Sequence, residues 1–519
     1  MDGVNSNVVV ADIPDQLDVL EAQLRGTLDD IIRWLRNETG RLSLWQLEKA
    51  LWLWIALVYR LCVAMFLAAR HRQLDLSEYV AQGWRIKKGF AERNLKTMAG
   101  PVRYGRAYLT RRSGSGWFPL DAKLGITQDG FSWRVIDLVT RLATRVSYQA
   151  TRNIVTNLLG WSPSTEAIEK LAIGLGQRAE AFMATQGRLA DDGEVLVIEV
   201  DGKAAPFATE TEMAARRAKR KGVRCGCGYR NCKRHQRRAK RRGKPRKRKK
   251  RGHNSKNGRS ATLVAMYTLK RDDAGRLHGP INKKLWGRFG SRRGAIAWAR
   301  GQATRRGFGP KTKRVIQIVV DGDPCLRQQL EKLFPKAIFT LDLRHAEERL
   351  WKAGRPFHAE DSVELREWVA PLQTLLVAGR IDALLKRLRT LRSAVASRGP
   401  NTRAKREILT EQIRYFEERK DMMCYGEYRR QDLVLATGVI EGACRHVIGE
   451  RLDCAGMRWT LAGAEPLMQL RCIELNGDWD AFMRWWIVQT KAKQRRRNLV
   501  QIRRPTNKHD PTTCQNQAA

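Results

Sequence analysis

Two apolar, β-branched runs in this chain end on the same pair of residues, an aspartate followed by a glycine. The first run is V-L-V-I-E-V-D-G-K, residues 195–203, and the second is V-I-Q-I-V-V-D-G, residues 315–322. Short β-branched runs bounded by turn residues are typical of strands buried inside a sheet. Each run therefore predicts a buried strand that ends at a carboxylate, Asp201 or Asp321, at the edge of a sheet.

A third carboxylate, Glu441, lies in A-T-G-V-I-E-G-A-C, at the predicted start of a helix. Carboxylate oxygens are the ligands that hard divalent cations prefer, and a two-metal phosphodiester site needs several of them. We therefore expect Asp201, Asp321 and Glu441 to hold two Mg²⁺ or Mn²⁺ ions. Asp-Gly is also ordinary turn chemistry, and Asp323 shares a strand face with Asp321, so either of these two carboxylates could point inward.

The charge of the chain indicates a polyanionic partner. Among 519 residues there are 98 Lys+Arg against 53 Asp+Glu, a net charge of +45, while a hydrophobic fraction of 43% excludes a wholly disordered chain. A folded protein with so basic a surface is typical of nucleic-acid binding, although ribosomal and membrane-surface proteins share this electrostatics. Ten scattered cysteines and an N-terminus without a signal-peptide pattern favour a reducing, cytoplasmic location.

One apolar stretch, residues 51–69, is long enough to be considered as a membrane span. It is rich in Leu, Trp, Val and Ala, but Arg60 lies at its middle, where a charge inside a bilayer costs about 2.5 to 3.5 kcal/mol. We interpret the stretch as a core or dimerisation helix rather than a membrane span.

Changes in composition and periodicity along the sequence predict an α/β protein with seven parts. Apolar periodicity, turn residues and charge runs set the boundaries. The parts are an N-terminal helical region (1–94), a small β-hairpin unit (95–135), a helix-turn-helix region (136–190), the first part of an α/β core (191–345), a helical insertion (346–432), the last part of the core (433–490) and a basic flexible tail (491–519).

Residues 147–173 have the pattern of a helix-turn-helix. The turn Leu159-Gly160-Trp161 is followed by Ser162 and Pro163, which predict an N-cap and a first-turn proline. The second helix would leave Ser164, Thr165, Glu169 and Lys170 available for a major groove. A plain pair of antiparallel helices inside a bundle explains the same pattern.

A Lys/Arg-dense segment between Met213 and Ser260 contains four candidate metal ligands. They follow the spacing Cys-x-Cys-x4-Cys-x2-His and are Cys225, Cys227, Cys232 and His235. Three thiolates and an imidazole satisfy a tetrahedral Zn²⁺, which would give shape to a segment too polar to build a core. Free cysteines are the alternative interpretation.

An ordered set of motifs resembles bacterial insertion-sequence transposases of the ISKra-like group, relatives of the Mutator-like elements. The motifs are V-D-G-K at Asp201, V-V-D-G at Asp321, D-L-R-H at 342–345, G-V-I-E-G-A-C-R-H-V at 438–447 and R-L-D-C-A-G-M-R-W at 451–459. Together with segments upstream, the resemblance covers most of residues 95–480. It implies a DDE transposase with an RNase H-like catalytic core, interrupted by an all-helical insertion between the second Asp and the Glu.

The resemblance also assigns residue roles. It implies that Asp201, Asp321 and Glu441 are the metal-binding triad and that His345, in the Asp-x-x-His motif begun by Asp342, lies near the scissile phosphate. A helix-capping Asp and a surface His are the alternative for that pair. Arg445 and Arg458, in the two most specific motifs, are expected to contact DNA together with Ser164, Thr165 and Lys170.

The expected function is therefore binding of terminal inverted repeats and metal-dependent cleavage and strand transfer, by a homodimer or larger homo-oligomer at the bacterial nucleoid. The alternatives are another RNase H-like nuclease or a non-catalytic, domesticated DNA-binding protein.

Overall fold

The computed structural model of the chain describes residues 9–11, 16–111, 116–187, 189, 191–214 and 258–503. Over these residues the protein is mixed α/β, which confirms the expected fold class. The chain divides into two compact units. The first comprises residues 1–171 and 480–519, and the second comprises residues 172–479.

The first unit combines long helices with short strands. Its elements in chain order are β1 (Val9–Ala11), α1 (Leu17–Asn37), α2 (Leu44–Arg72), α3 (Ser77–Ala81), β2 (Arg85–Ile86), β3 (Ala91–Thr97), β4 (Gly100–Arg106), β5 (Leu109–Thr110), β6 (Gly116–Trp117), α4 (Pro119–Leu124), α5 (Trp133–Arg145) and α6 (Tyr148–Leu159). Helix α7 (Thr165–Gly176) begins in this unit and ends in the second. Strand β4 lies between β1, to which it is parallel, and β3, to which it is antiparallel.

Helix α2 is the longest helix of the first unit and supplies much of its core. Ser43 starts it with a capping box, because its side chain accepts from the Gln46 amide while the Gln46 side chain accepts from the Ser43 amide. One face, with Leu61, Ala64 and Leu67, packs against residues of β3, β4 and α1. Within the described residues, α2 alone is long and apolar enough to cross a membrane, with a mean hydropathy of 2.0 over its most apolar window.

The predicted helix pair at 147–173 exists as α6 and α7, with two differences. Ser164, rather than Ser162, caps α7, because its hydroxyl accepts a hydrogen bond from the Ala167 amide at 3.2 Å. Gly160 ends α6 in the left-handed region, at φ 76°, where a residue without a Cβ is favoured. Helical spacing predicts one apolar face of α6 with Ala150, Ile154, Val155 and Leu158, but only Val155 of these is buried, whereas Ile154 and Leu158 are exposed.

The second unit is built on a five-stranded sheet. Its elements in chain order are α8 (Ala179–Thr185), β7 (Val195–Pro206), β8 (Gly258–Arg271), β9 (Leu277–Phe289), α9 (Arg292–Arg305), β10 (Val315–Val320), α10 (Pro324–Leu333), β11 (Ile338–Leu341), α11 (Leu343–Gly354), α12 (Val363–Val377), α13 (Ile381–Ala394), α14 (Thr402–Glu417), α15 (Tyr425–Arg430), α16 (Gly438–Ala443) and α17 (Leu461–Leu475). The sheet order is β11-β10-β7-β8-β9. Strands β7, β8 and β9 form an antiparallel meander, while β10 and β11 run parallel to β7. The last helix, α18 (Trp479–Arg503), belongs to the first unit except for its first residue. Residues 491–503, which the sequence assigns to the flexible tail, are therefore helical.

Strand β7 does not end at Asp201, as the sequence predicts, but continues to Pro206. Its antiparallel partner β8 stays in register along this extension, from Asp201 opposite Leu263 to Pro206 opposite Gly258. The parallel neighbour β10 ends earlier, at Val320. Asp201 therefore lies where β7 loses one of its two neighbours, rather than at the end of the strand.

All elements between β11 and α16 are helices, and the chain leaves and rejoins the sheet at one place. The Leu343 amide, at the start of α11, donates to the Leu435 carbonyl at 2.9 Å. Beside it, the Gln317 side chain of β10 hydrogen-bonds both the amide and the carbonyl of Val434. The helices of residues 343–430 are thus attached to the sheet beside the parallel strands.

Candidate active site

Of the two aspartates that end the apolar runs, Asp201 lies on β7 and Asp321 directly follows the neighbouring parallel strand β10. Val319 of β10 is paired with Glu199 of β7, so the same register, continued by two residues, places Asp321 beside Asp201. Neighbouring strands lie about 4.8 Å apart, and residues two apart share a face. Both aspartates are half-buried, so their carboxylates share one accessible edge of the sheet.

Asp321 and Asp323 have different environments. The Asp321 carboxylate accepts from the Asp323 amide at 3.0 Å. The Asp323 carboxylate caps α10, accepting from the Cys325 and Leu326 amides, and pairs with Arg292 at 2.5 Å. Burial raises the pKa of Asp323, but the Arg292 and backbone hydrogen bonds outweigh it and lower that pKa overall. Because Asp323 already serves as a helix cap, Asp321 is the better candidate ligand.

Glu441 lies on the short helix α16, which contacts β7. Its carboxylate is 39% exposed and pairs with Arg344 at 3.3 Å. Such an exposed ion pair contributes little stability. The π-helical segment that follows α16, Cys444–Gly449, brings the Cys444 sulfur to 3.5 Å from one carboxylate oxygen of Asp201, so the helix of Glu441 is next to the strand of Asp201.

As the side chains stand, no group of three or more His, Cys, Asp or Glu among the described residues could hold a metal ion. Glu441 would have to leave Arg344 to join the two aspartates. The donor set itself fits Mg²⁺ or Mn²⁺, since it offers carboxylate oxygens from two adjacent strands and a nearby helix. The structure therefore brings two candidate ligands together and leaves the third beside an arginine.

Glu199, which the sequence analysis did not single out, fixes the start of α16. Its fully buried carboxylate accepts from the Tyr267 hydroxyl at 2.6 Å and from the Ile440 amide at 2.7 Å. Burial raises the pKa of Glu199 to about 7, against the effect of these two hydrogen bonds. A single acid inside an apolar strand, two residues before Asp201 and on its face, is the sequence signal that could have identified it.

Asp342 is a second buried carboxylate that anchors the start of α16. It follows β11 and is fully buried. Its carboxylate caps α11 through the Arg344 amide at 2.8 Å and accepts from the Thr437 hydroxyl, immediately before α16. Burial raises the pKa of Asp342, but hydrogen bonds from His345 and Thr437 lower it overall. Two buried carboxylates, neither of them a proposed metal ligand, thus anchor the first turn of the Glu441 helix.

The His345 ring lies 3.1 Å from the second oxygen of Asp342, through Nδ1. This hydrogen bond, with the charge of Asp342, raises the pKa of His345 to about 9 despite partial burial. The imidazole is therefore a cation at neutral pH, and the charge of Asp321 acts on it in the same direction. Asp342 is a helix cap, as the simpler interpretation of the motif required, and it also controls the charge of His345.

The residues expected to contact DNA fall into two groups. Arg445 and Arg458 are exposed and follow α16 in the second unit. In the first unit, Ser164 and Lys170 are exposed and Thr165 is half-buried. The Lys170 ammonium pairs with Glu166 at 3.0 Å, an exposed pair that a phosphate can replace.

The possible zinc ligands Cys225, Cys227, Cys232 and His235 lie outside the described residues. Zinc binding therefore stays a prediction from their spacing.

A comparison with protein-family models finds no match to this chain, and a comparison with curated proteins finds none either.

Proposed function

We propose that the protein is a DDE transposase of a bacterial insertion sequence, with an RNase H-like catalytic core formed by the sheet and helices of the second unit. The observation that carries the proposal is the parallel register of β7 and β10, from Val315 opposite Val195 to Val319 opposite Glu199, because its continuation by two residues brings Asp321 beside Asp201. The antiparallel meander continued by two parallel strands supports the RNase H-like assignment, and the helices of residues 343–430 correspond to the proposed insertion.

In this proposal Asp201, Asp321 and Glu441 would hold two divalent cations. When bound, these ions would supply Lewis-acid chemistry, lowering the pKa of a water or DNA 3′-hydroxyl and stabilising the leaving oxygen. His345, cationic at neutral pH, donates a hydrogen bond to a phosphate oxygen. One such site can hydrolyse a transposon end and later join it to target DNA, because both reactions displace oxygen at phosphorus.

The other groups of the site position Glu441 and the DNA. Glu199 and Asp342 fix the first turn of α16 from two different strands. The exposed Arg445 and Arg458, just beyond that helix, are suited to backbone phosphates, which set position without reading sequence. The helix that Ser164 caps is the candidate reader of terminal repeats, and the net charge of +45 supports tight, salt-dependent DNA binding.

Nicking of a supercoiled plasmid in Mg²⁺, with and without cognate transposon ends, tests the proposal. Asp321→Ala should abolish nicking, whereas Asp323→Ala should retain it, since Asp323 caps a helix and pairs with Arg292. The two variants remove the same charge two residues apart, so they are matched. Both should bind DNA at least as well as wild type, because Lys and Arg dominate affinity.

The outcomes also separate the alternatives. Nicking that ignores transposon ends would indicate another RNase H-like nuclease. DNA binding without nicking, in wild type and variants alike, would indicate the non-catalytic protein and overturn the proposal. Loss of nicking in Asp323→Ala alone would overturn the assignment of Asp321.

A further inference from the structure

Helix α2 has two apolar faces, and only one is used inside the first unit. One face packs into the core. On the other, an aromatic residue recurs at every seventh position. These residues and their exposed fractions are Trp45 (69%), Trp52 (44%), Tyr59 (42%) and Phe66 (49%). A folded monomer gains nothing from exposing four large aromatic side chains in a line.

The exposed side chains follow the repeat of a coiled coil. Ile55 and Cys62, three residues after Trp52 and Tyr59, are also exposed. We call these six residues the aromatic seam: Trp45, Trp52, Ile55, Tyr59, Cys62 and Phe66. Between Trp52 and Phe66 the only exposed residue outside the seam is Leu53. The alternating spacing of three and four residues is the a/d pattern by which one helix packs along another.

We propose that the aromatic seam is a dimerisation surface, and that its occupant is α2 of a second copy of this chain. A seven-residue repeat is matched by a helix with the same repeat, and a two-fold interface uses one patch on both partners. At about 1.5 Å per residue, a helix of 29 residues is roughly 43 Å long, so the pairing surface is long enough for three heptads.

The exposed area of the seam also suits a dimer. Aromatic side chains bury about 150 to 250 Å² each when covered, so the four seam aromatics still offer roughly 400 Å². Ile55 and Cys62 bring the seam to roughly 500 Å² per partner, or about 1,000 Å² in total, which is the lower limit for a specific interface. Beside the seam, Tyr59 and Phe66 border a cavity of about 590 Å³ lined also by Phe131 and Trp133, which can receive a side chain from the partner.

A lipid bilayer fits these observations less well. Lipid tails impose no seven-residue period on a helix, and a spanning helix would have to leave β1 and β4, which α2 contacts. That would expose to water the apolar side chains of Leu95, Val102 and Tyr104, which pack against α2, at an unfavourable free energy. Arg60 in the middle of the helix would also place a charge inside the bilayer.

Sedimentation of the full-length chain, freed of DNA, tests the inference. About 0.5 M salt shortens the Debye length to roughly 4 Å, which prevents repulsion between two chains of charge +45 from hiding the association. Wild type should dimerise reversibly, and Tyr59→Glu, a seam variant with one added negative charge, should raise the dissociation constant at least about tenfold, a change of about 1.4 kcal/mol. The matched control is Leu53→Glu, because Leu53 is 50% exposed on the same helix but lies off the seam.

Circular dichroism should show all three proteins equally folded, since every substituted residue is exposed. A monomeric wild type, or equal weakening by Leu53→Glu and the seam variant, would overturn the inference. Flotation of monomeric wild type with neutral phosphatidylcholine vesicles, lost in the seam variant, would assign the seam to a membrane and would equally overturn it. None of these measurements depends on nuclease activity, so the inference can fail or hold independently of the proposed function.

Discussion

Replacing Glu199 by glutamine should remove a specific pH dependence of stability. Its pKa rises from 4.5 to about 7 in the folded protein, so the folded state holds the proton more tightly than the unfolded chain does. Stability from this group is therefore fully present below about pH 4.5 and is lost as the pH rises through 7. At about 1.4 kcal/mol per pKa unit, the loss amounts to about 3 kcal/mol.

The glutamine side chain has nearly the same shape as that of glutamate, and its amide oxygen still accepts a hydrogen bond from the Ile440 amide. Unlike the carboxyl group, it has no proton that titrates in this pH range. We expect the free energy of unfolding of Glu199→Gln, relative to wild type, to increase by about 3 kcal/mol between pH 4 and pH 8. Urea denaturation at several pH values, in EDTA so that no cation enters the site, measures this difference.

Val197→Ala is the control for this experiment. Val197 is fully buried on the same strand and does not titrate, so its loss should lower stability by a similar amount at every pH. If the difference between Glu199→Gln and wild type stays constant from pH 4 to pH 8, the buried carboxyl does not titrate as its surroundings imply. The account of how α16 is anchored would then be wrong.

Three further predictions concern the proposed chemistry and binding. Because Asp342 raises the pKa of His345 to about 9, nicking that needs the cationic imidazole should persist up to about pH 9 in wild type. In Asp342→Asn the alkaline limb of the pH–rate profile should move toward pH 6.5, and a limb that does not move would contradict the role of His345. Purified protein should contain about one zinc per chain, and Cys227→Ser should lose it; elemental analysis that finds no zinc in wild type excludes the site. Substituting Thr165 and Lys170 should reduce discrimination between transposon ends and random DNA by about tenfold or more, whereas equal weakening on both DNAs in a titration would show that this helix reads no sequence.

The sequence predicts those parts of the site that depend on local pattern. The apolar runs before Asp201 and Asp321 are strands, β7 and β10, because β-branched residues suit a buried sheet. The end of β7 was predicted wrongly, because strand length depends on the partner β8 and not on the Asp-Gly pair. In the same way Ser164 replaces Ser162 as the cap, since either serine fits the local pattern and packing decides between them.

Contacts between distant parts of the chain could not be predicted. Glu199 reaches Ile440 and Asp342 reaches Thr437 across long sequence separations, and single-sequence patterns contain no information on such pairs. The apolar character of α2 was evident from composition, but which of its faces is buried depends on where β4 and α1 pack. The exposed seam therefore emerges only from the folded structure.

The link between Glu199 and Ile440 also affects when the site can form during synthesis. The two residues are 241 positions apart in the chain. At about 5 to 20 residues per second, a ribosome needs roughly 12 to 50 s to synthesise that interval. Throughout this time the strand bearing Asp201 exists without the helix bearing Glu441, so the proposed set of three carboxylates is incomplete until residue 441 has been added to the chain.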